Sequence, residues 1–176
     1  MFLDDYKELV GKIIEKEDPE DREFMLDFLD EKVRSMGEYV QAVCNHSMGT
    51  ERAYAMMRGG VLDPDECKTR VITLDGIRRS KHDVAMDSMN QINRMCDRFG
   101  MKHICPDDHD RVVRGNFCAA VTSELFMTGT GRDEKAVTVV SKAFSGDTAT
   151  LDAVVKRVEK GEQIKTEGKK LWESLR

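Results

Sequence analysis

The chain has 176 residues, of which 40% are hydrophobic and 35% charged, and its net charge is −5. This length and composition predict one folded domain and argue against a disordered chain or a membrane protein, since no segment approaches about 18 consecutive apolar residues. The acidic balance also argues against a nucleic-acid partner, because proteins that bind nucleic acid usually present a basic face.

All the predicted elements are helices, and prolines and glycines delimit them. Proline is tolerated at the first position of a helix because its missing N–H would have no partner there, and glycine readily ends a helix. Each of the three prolines is followed directly by Asp or Glu, which suits the positive end of the helix dipole. The predicted helices span residues 3–16, 19–47, 50–58, 64–99, 107–128, 132–144 and 148–174.

Two of these helices, 19–47 and 64–99, are long, and each shows an apolar stripe. In the first, Phe24 and Phe28 begin a series of apolar side chains spaced three and four residues apart. Such spacing is typical of helices that pack side by side. We therefore predict an all-α, single-domain helical bundle built on these two helices, with 107–128 packed against them. In the helix 64–99 the apolar stripe consists of Ala85, Met89, Ile92, Cys96 and Phe99.

The C-terminal part of the chain differs in composition. We predict that the bundle domain covers residues 1–158, followed over 159–176 by a charged helix that is not a separate domain. Gly161 and Gly168 lie in this segment, and each glycine costs about 1 kcal/mol within a helix. The helix is therefore expected to fray, or to dock only through a few apolar side chains such as Trp172.

The cysteines and the N-terminus indicate a reducing, cytoplasmic environment. The five cysteines form no Cys-x-x-Cys pair, and the acidic start of the chain does not resemble a secretory signal. Cys96, His103, Cys105 and His109 lie close in sequence, and two thiols with two imidazoles can bind zinc. The alternative is that Cys96, which falls on the apolar stripe, is a buried, inert thiol.

The stripe of the helix 64–99 becomes charged in its N-terminal half. Continuing the spacing back from Ala85 leads to two cations, Lys81 and Arg78. A charged segment of such a stripe must leave the core, meet an acidic partner or line a pocket, because a buried unpaired charge is costly. The alternative is a solvated face on a helix that protrudes or bends at Gly76. The candidate site residues are Arg78, Lys81, His82 and Asp83.

Polar residues also follow one another further along this helix. They predict either a hydrogen-bond network between helices or a solvated face opposite Met89 and Ile92. The sequence leaves both interpretations open. The residues are Asn90, Gln91, Asn93 and Arg94.

The pair His82-Asp83, with His46 standing 36 residues before it, resembles the motif of the metal-dependent phosphohydrolases of the HD superfamily. In that all-helical family a histidine, a later His-Asp pair and a distant aspartate bind a divalent metal. The resemblance implies that His46, His82 and Asp83 are metal ligands, and that Asp147 or Asp152 is the final aspartate.

Two functions are therefore predicted. The resemblance implies hydrolysis of a phosphate ester by a metal-activated water, with Arg78 or Lys81 holding the anion. The other hypothesis, which we place first, is a non-enzymatic module that has no cofactor and that binds a protein partner or self-associates. The long apolar stripes and the 11 methionines favour it, because methionine suits adaptable binding surfaces. Met56 and Met57 form one such patch, for which a place in the core is the alternative.

Overall fold

In a computed structural model of the chain, residues 2–128 are described, and within this range they form four α-helices and no strand. The predicted all-α bundle with two long helices and a third packed against them is confirmed. No helix of the described range is long and apolar enough to cross a membrane. The helices are α1 (Phe2–Lys16), α2 (Pro19–Arg58), α3 (Pro64–Arg98) and α4 (Arg111–Thr128).

Several predictions concern residues outside the described range. They are the helices 132–144 and 148–174, the domain boundary at residue 158, and the two candidates for the final aspartate of the metal site, Asp147 and Asp152. These stay predictions.

The break predicted in the second helix, between residues 47 and 50, is wrong. Helix α2 is 40 residues long and continues through Gly49 without a break. Gly49 lies against α3 so closely that a Cβ atom built on it would be 2.7 Å from Leu74 Cδ1. Packing of the two helices thus outweighs the weak helix propensity of glycine.

The start predicted for the helix 107–128 is also wrong, because the corresponding helix, α4, begins at Arg111. Asp110 accepts hydrogen bonds from the backbone N–H groups of Val112 at 2.8 Å and Val113 at 3.1 Å. A side chain that accepts from the second and third residues of a helix is an N-cap. The capping carboxylate therefore belongs to Asp110, and the residues before it form a loop.

Helices α2 and α3 run antiparallel along each other. Ser35 Oγ donates to Ser88 Oγ at 2.7 Å, while His46 lies beside Asp75, so residue numbers rise on one helix as they fall on the other. Helix α3 continues without interruption through Gly76.

Helices α1 and α4 pack against one end of this antiparallel pair. Tyr6 Oη of α1 donates to Asp30 Oδ1 of α2 at 2.6 Å, and Cys118 of α4 packs on Met89 of α3. All four helices contribute to the main core, and every member of the stripe from Ala85 to Phe99 is buried in it.

A second, smaller core lies where α2 passes into α3, which we call the tip. Tyr54, Leu62 and Cys67 are buried there, and Met56 and Met57 pack against them. The two methionines thus belong to a core, as one interpretation of the sequence predicted.

Candidate functional site

A mostly buried carboxylate organises the polar residues between α2 and α3. Asp75 Oδ1 accepts hydrogen bonds from Arg78 Nη2 at 3.0 Å and from Arg78 Nε at 3.2 Å. The other oxygen, Oδ2, accepts one from Arg79 Nε at 2.7 Å. The side chain of Arg78 is only 1% exposed, whereas that of Arg79 is 67% exposed. Of the candidate residues on α3, Arg78 is thus buried and charge-paired.

His46 of α2 faces the same carboxylate. Its side chain is buried, and Nε2 lies 4.0 Å from Asp75 Oδ1. Burial by itself raises the pKa of Asp75, but the hydrogen bonds and charges of Arg78 and Arg79 outweigh it, so this pKa lies below its ordinary value. A carboxylate with a lowered pKa stays ionised near neutral pH, so it is suited to pairing with cations and not to transferring protons.

The other candidate residues of α3 make separate contacts. Lys81 Nζ donates to Glu38 Oε2 of α2 at 2.7 Å. His82 Nδ1 lies 3.0 Å from Asp83 Oδ1, and the His82 ring packs edge-on against Tyr39 with the ring centroids 5.4 Å apart. Lys81 and His82 therefore contact two neighbouring residues of α2, Glu38 and Tyr39.

The metal ligands implied by the resemblance lie at different heights along the helix pair. His46 is beside Asp75, whereas His82 is seven residues further along α3, or about 10 Å at 1.5 Å per residue. Within the described range no group of three or more His, Cys, Asp or Glu side chains is arranged to hold a metal ion. The assignment of His46, His82 and Asp83 as metal ligands and the phosphohydrolase activity therefore stay predictions.

The residues of the predicted zinc site also have other environments. Cys96 and Cys105 are buried, and burial raises the pKa of both thiols. Among residues 2–128 no three Cys, His, Asp or Glu side chains come together as a zinc-binding group. His103 contacts two aspartates, and His109 is exposed. The arrangement favours the alternative considered from the sequence, that Cys96 is a buried thiol.

His103 joins the end of α3 to the loop that leads to α4. Its Nε2 lies 2.8 Å from Asp97 Oδ1, and its Nδ1 lies 2.5 Å from Asp107 Oδ1. The hydrogen bonds to Asp107 and Asp97 raise the pKa of His103 above its ordinary value, because two carboxylates favour the charged imidazolium. The bridge is thus strongest when His103 is protonated.

We expect part of the stability to depend on pH through this bridge. Because the pKa of His103 is raised on folding, its stabilisation is complete below about pH 6.5, the ordinary histidine value, and is lost as the pH rises through the higher folded value. Urea denaturation between about pH 5 and 9 should show this decline in the wild type and a flatter profile in His103→Gln. Equal slopes for the two proteins would contradict it.

Asn93 holds the same loop from the inside. Its Nδ2 donates to the carbonyl oxygen of Cys105 at 3.1 Å, and its Oδ1 accepts from the Cys105 N–H at 3.0 Å. Both residues are buried, so the side-chain amide satisfies backbone groups that water does not reach. Nearby, Arg114 of α4 donates to Asn90 Oδ1 at 3.1 Å, whereas Gln91 bonds to Asp87 of its own helix and Arg94 is exposed, so each of the two interpretations holds for part of this polar segment.

A groove between the start of α2 and the end of α3 is the feature that the sequence interpretation missed. Its apolar lining is formed by Phe24, Met25, Phe28 and Met95. Phe24 is 70% exposed, and its ring stacks on Phe28 with the centroids 6.4 Å apart. The prediction that Phe24 lies on the packing stripe of α2 is therefore wrong.

The two walls of this groove, which we call the Phe24 groove, carry opposite charges. Asp21 lines it on the α2 side, and Arg94 and Arg98 line it on the α3 side. Arg98 also donates to Glu17 Oε1 at 2.7 Å, whereas Arg94 is exposed and forms no ion pair with the described residues. An apolar surface with charged borders is typical of protein-binding sites.

Comparison with protein-family models, with curated proteins and with solved structures gives no match for this chain. Its function therefore has to be inferred from its own side chains. The carboxylate of Asp75 and the imidazole of His103 are engaged within the fold, whereas Phe24 presents an apolar ring to solvent.

Proposed function

We propose that this protein is a non-enzymatic helical module that binds an amphipathic helix of a protein in the Phe24 groove. The observation that carries the proposal is the exposure of Phe24, 70%, within an apolar lining. An exposed aromatic ring that adjoins an apolar groove gains free energy when a partner covers both.

The shape of the groove suits a helix. Two antiparallel helices, α2 and α3, form its walls, and the recognition of a helix in such a groove depends on apolar side chains at every third or fourth residue of the ligand. Lys32 Nζ lies 4.4 Å from the centroid of the Phe28 ring and so places a cation near one end. The charged borders would orient the ligand and improve its selectivity.

Substitution of Phe24 tests this proposal. Peptides selected from a displayed library of amphipathic helices on the wild-type protein are expected to bind Phe24→Asp at least about tenfold more weakly, because aromatic anchors carry much of the binding energy. Val61→Asp is the matched control, since Val61 is 72% exposed but lies at the tip. Affinities would be measured by isothermal titration calorimetry.

Two outcomes would count against the groove as a binding site. One is a library that yields no peptide above background; the other is peptides whose affinity falls equally in both variants. Circular dichroism checks that Phe24→Asp keeps its helices, as expected for a residue on the surface.

A further inference from the structure

The Phe24 groove is complementary to itself. Its α2 wall carries an acidic group, Asp21, which lines the groove, and further along a cation, Lys32, whose Nζ lies over the Phe28 ring. Its α3 wall is basic through Arg94 and Arg98. A ligand that matches the groove must therefore present an acidic edge to α3, a basic edge to α2 and an apolar centre between them.

From this pattern we infer that the occupant of the Phe24 groove is the same groove of a second copy of this chain. The inference rests on the proposed function because the Phe24 groove is again the binding surface, but the occupant is the α2–α3 face of a second copy in place of a single helix. We place a two-fold axis parallel to the groove. Rotation about this axis brings α2 of one copy opposite α3 of the other, and each residue keeps its position along the direction of the helices. Symmetric contacts of this kind are the usual way in which identical chains associate.

The charges pair under this symmetry. Asp21 faces Arg94 and Arg98 of the second copy, and the same contacts occur again on the other side of the axis. Because both contacts are repeated, each charged pair contributes twice. The exposed Asp87 on α3 accepts a hydrogen bond from Gln91 and adds one negative charge beside the basic wall.

The apolar residues pair as well. Phe24 of each copy comes to lie over the apolar lining of the other, beside Met95 and Phe28 of the second copy. The two rings are thereby removed from water, which favours association. The groove extends over only about two helical turns, so the contact lies at the small end of protein interfaces and should give a reversible dimer.

Sedimentation velocity of the full chain between about 1 μM and 1 mM tests the inference, and we expect a concentration-dependent dimer. Phe24→Asp should weaken dimerisation at least about tenfold, and Val61→Asp less than about twofold. A wild type that stays monomeric at every concentration would overturn the inference. So would equal effects of the two substitutions.

Charge reversal tests the predicted symmetry. Asp21→Arg and Arg94→Asp should each weaken self-association at least about fivefold, because each places like charges opposite each other at both repeats of the contact. Mixing the two variants should restore wild-type affinity as a heterodimer, detected with a fluorescent label on one of them. Failure of the mixture to associate, with both variants folded by circular dichroism, would overturn the two-fold arrangement.

The outcomes separate this inference from the proposed function. If the wild type is monomeric but binds selected helical peptides through Phe24, the groove binds other proteins and the second copy is not its occupant. If neither self-association nor peptide binding depends on Phe24, both proposals fall.

Discussion

Replacing Asp75 with alanine is expected to lower the free energy of unfolding by about 2–4 kcal/mol, because it removes a charged acceptor of hydrogen bonds, each of which contributes about 1.5–3 kcal/mol. The substitution removes the oxygen that accepts two hydrogen bonds from Arg78, whose side chain stays in the interior. It also removes the charge that faces His46. Urea denaturation followed by circular dichroism measures the loss.

Arg79→Ala is the matched control for this prediction. Arg79 binds the same carboxylate, but its side chain is 67% exposed, so its loss should cost no more than about 1 kcal/mol. Equal losses for Asp75→Ala and Arg79→Ala would show that burial of Arg78 does not set the cost. Such a result would contradict the interpretation of Asp75 and Arg78 as a buried ion pair.

The same carboxylate predicts a pH effect of opposite sign to that of His103. Because the pKa of Asp75 is lower in the folded protein, its contribution is complete well above about pH 3.9, the ordinary value for aspartate. The contribution is lost as the pH falls through the lower folded value. Acid should therefore destabilise the wild type more steeply than Asp75→Ala.

The second large effect is expected for Asn93→Ala, which should cost about 2–4 kcal/mol of stability. The substitution leaves the N–H and carbonyl groups of Cys105 without the side chain that satisfies both, and an unsatisfied buried polar group costs about 1–3 kcal/mol. Chemical denaturation gives the stability, and hydrogen exchange of the Cys105 amide reports the local opening.

Gln91→Ala serves as the control for Asn93→Ala because both residues lie on α3. Gln91 Nε2 donates only to Asp87 at the surface, so its loss should change stability by no more than about 0.5 kcal/mol. Faster exchange of the Cys105 amide should occur in Asn93→Ala alone. Unchanged exchange there would contradict the proposed role of the side-chain amide.

Local signals predicted most helix ends and the main packing stripe. Asp63 caps α3 as its position before Pro64 suggests, accepting from the N–H groups of Asp65 and Glu66. The stripe from Ala85 is buried because its spacing matches the helical repeat. Local signals fail where contacts between helices determine the structure. Gly49 packs closely on Leu74, and α2 is continuous where a break was predicted.

The candidate site was harder to predict because spacing does not reveal which of two neighbouring stripes faces the core. The buried line of α2 runs through Leu26, Leu29 and Val33, one stripe away from Phe24. The burial of Arg78 could not be predicted either, because a cation on an apolar stripe can be buried or solvated. Its carboxylate partner stands three residues earlier, but only the fold shows that the pair is enclosed.

The uninterrupted course of α2 sets the geometry of any pair of copies. About 30 residues separate Phe28 from the end of α2, which corresponds to about 45 Å of rod at 1.5 Å per residue. An axis parallel to that rod preserves its direction, so the tips of two chains paired at the Phe24 groove would lie at the same end of the pair.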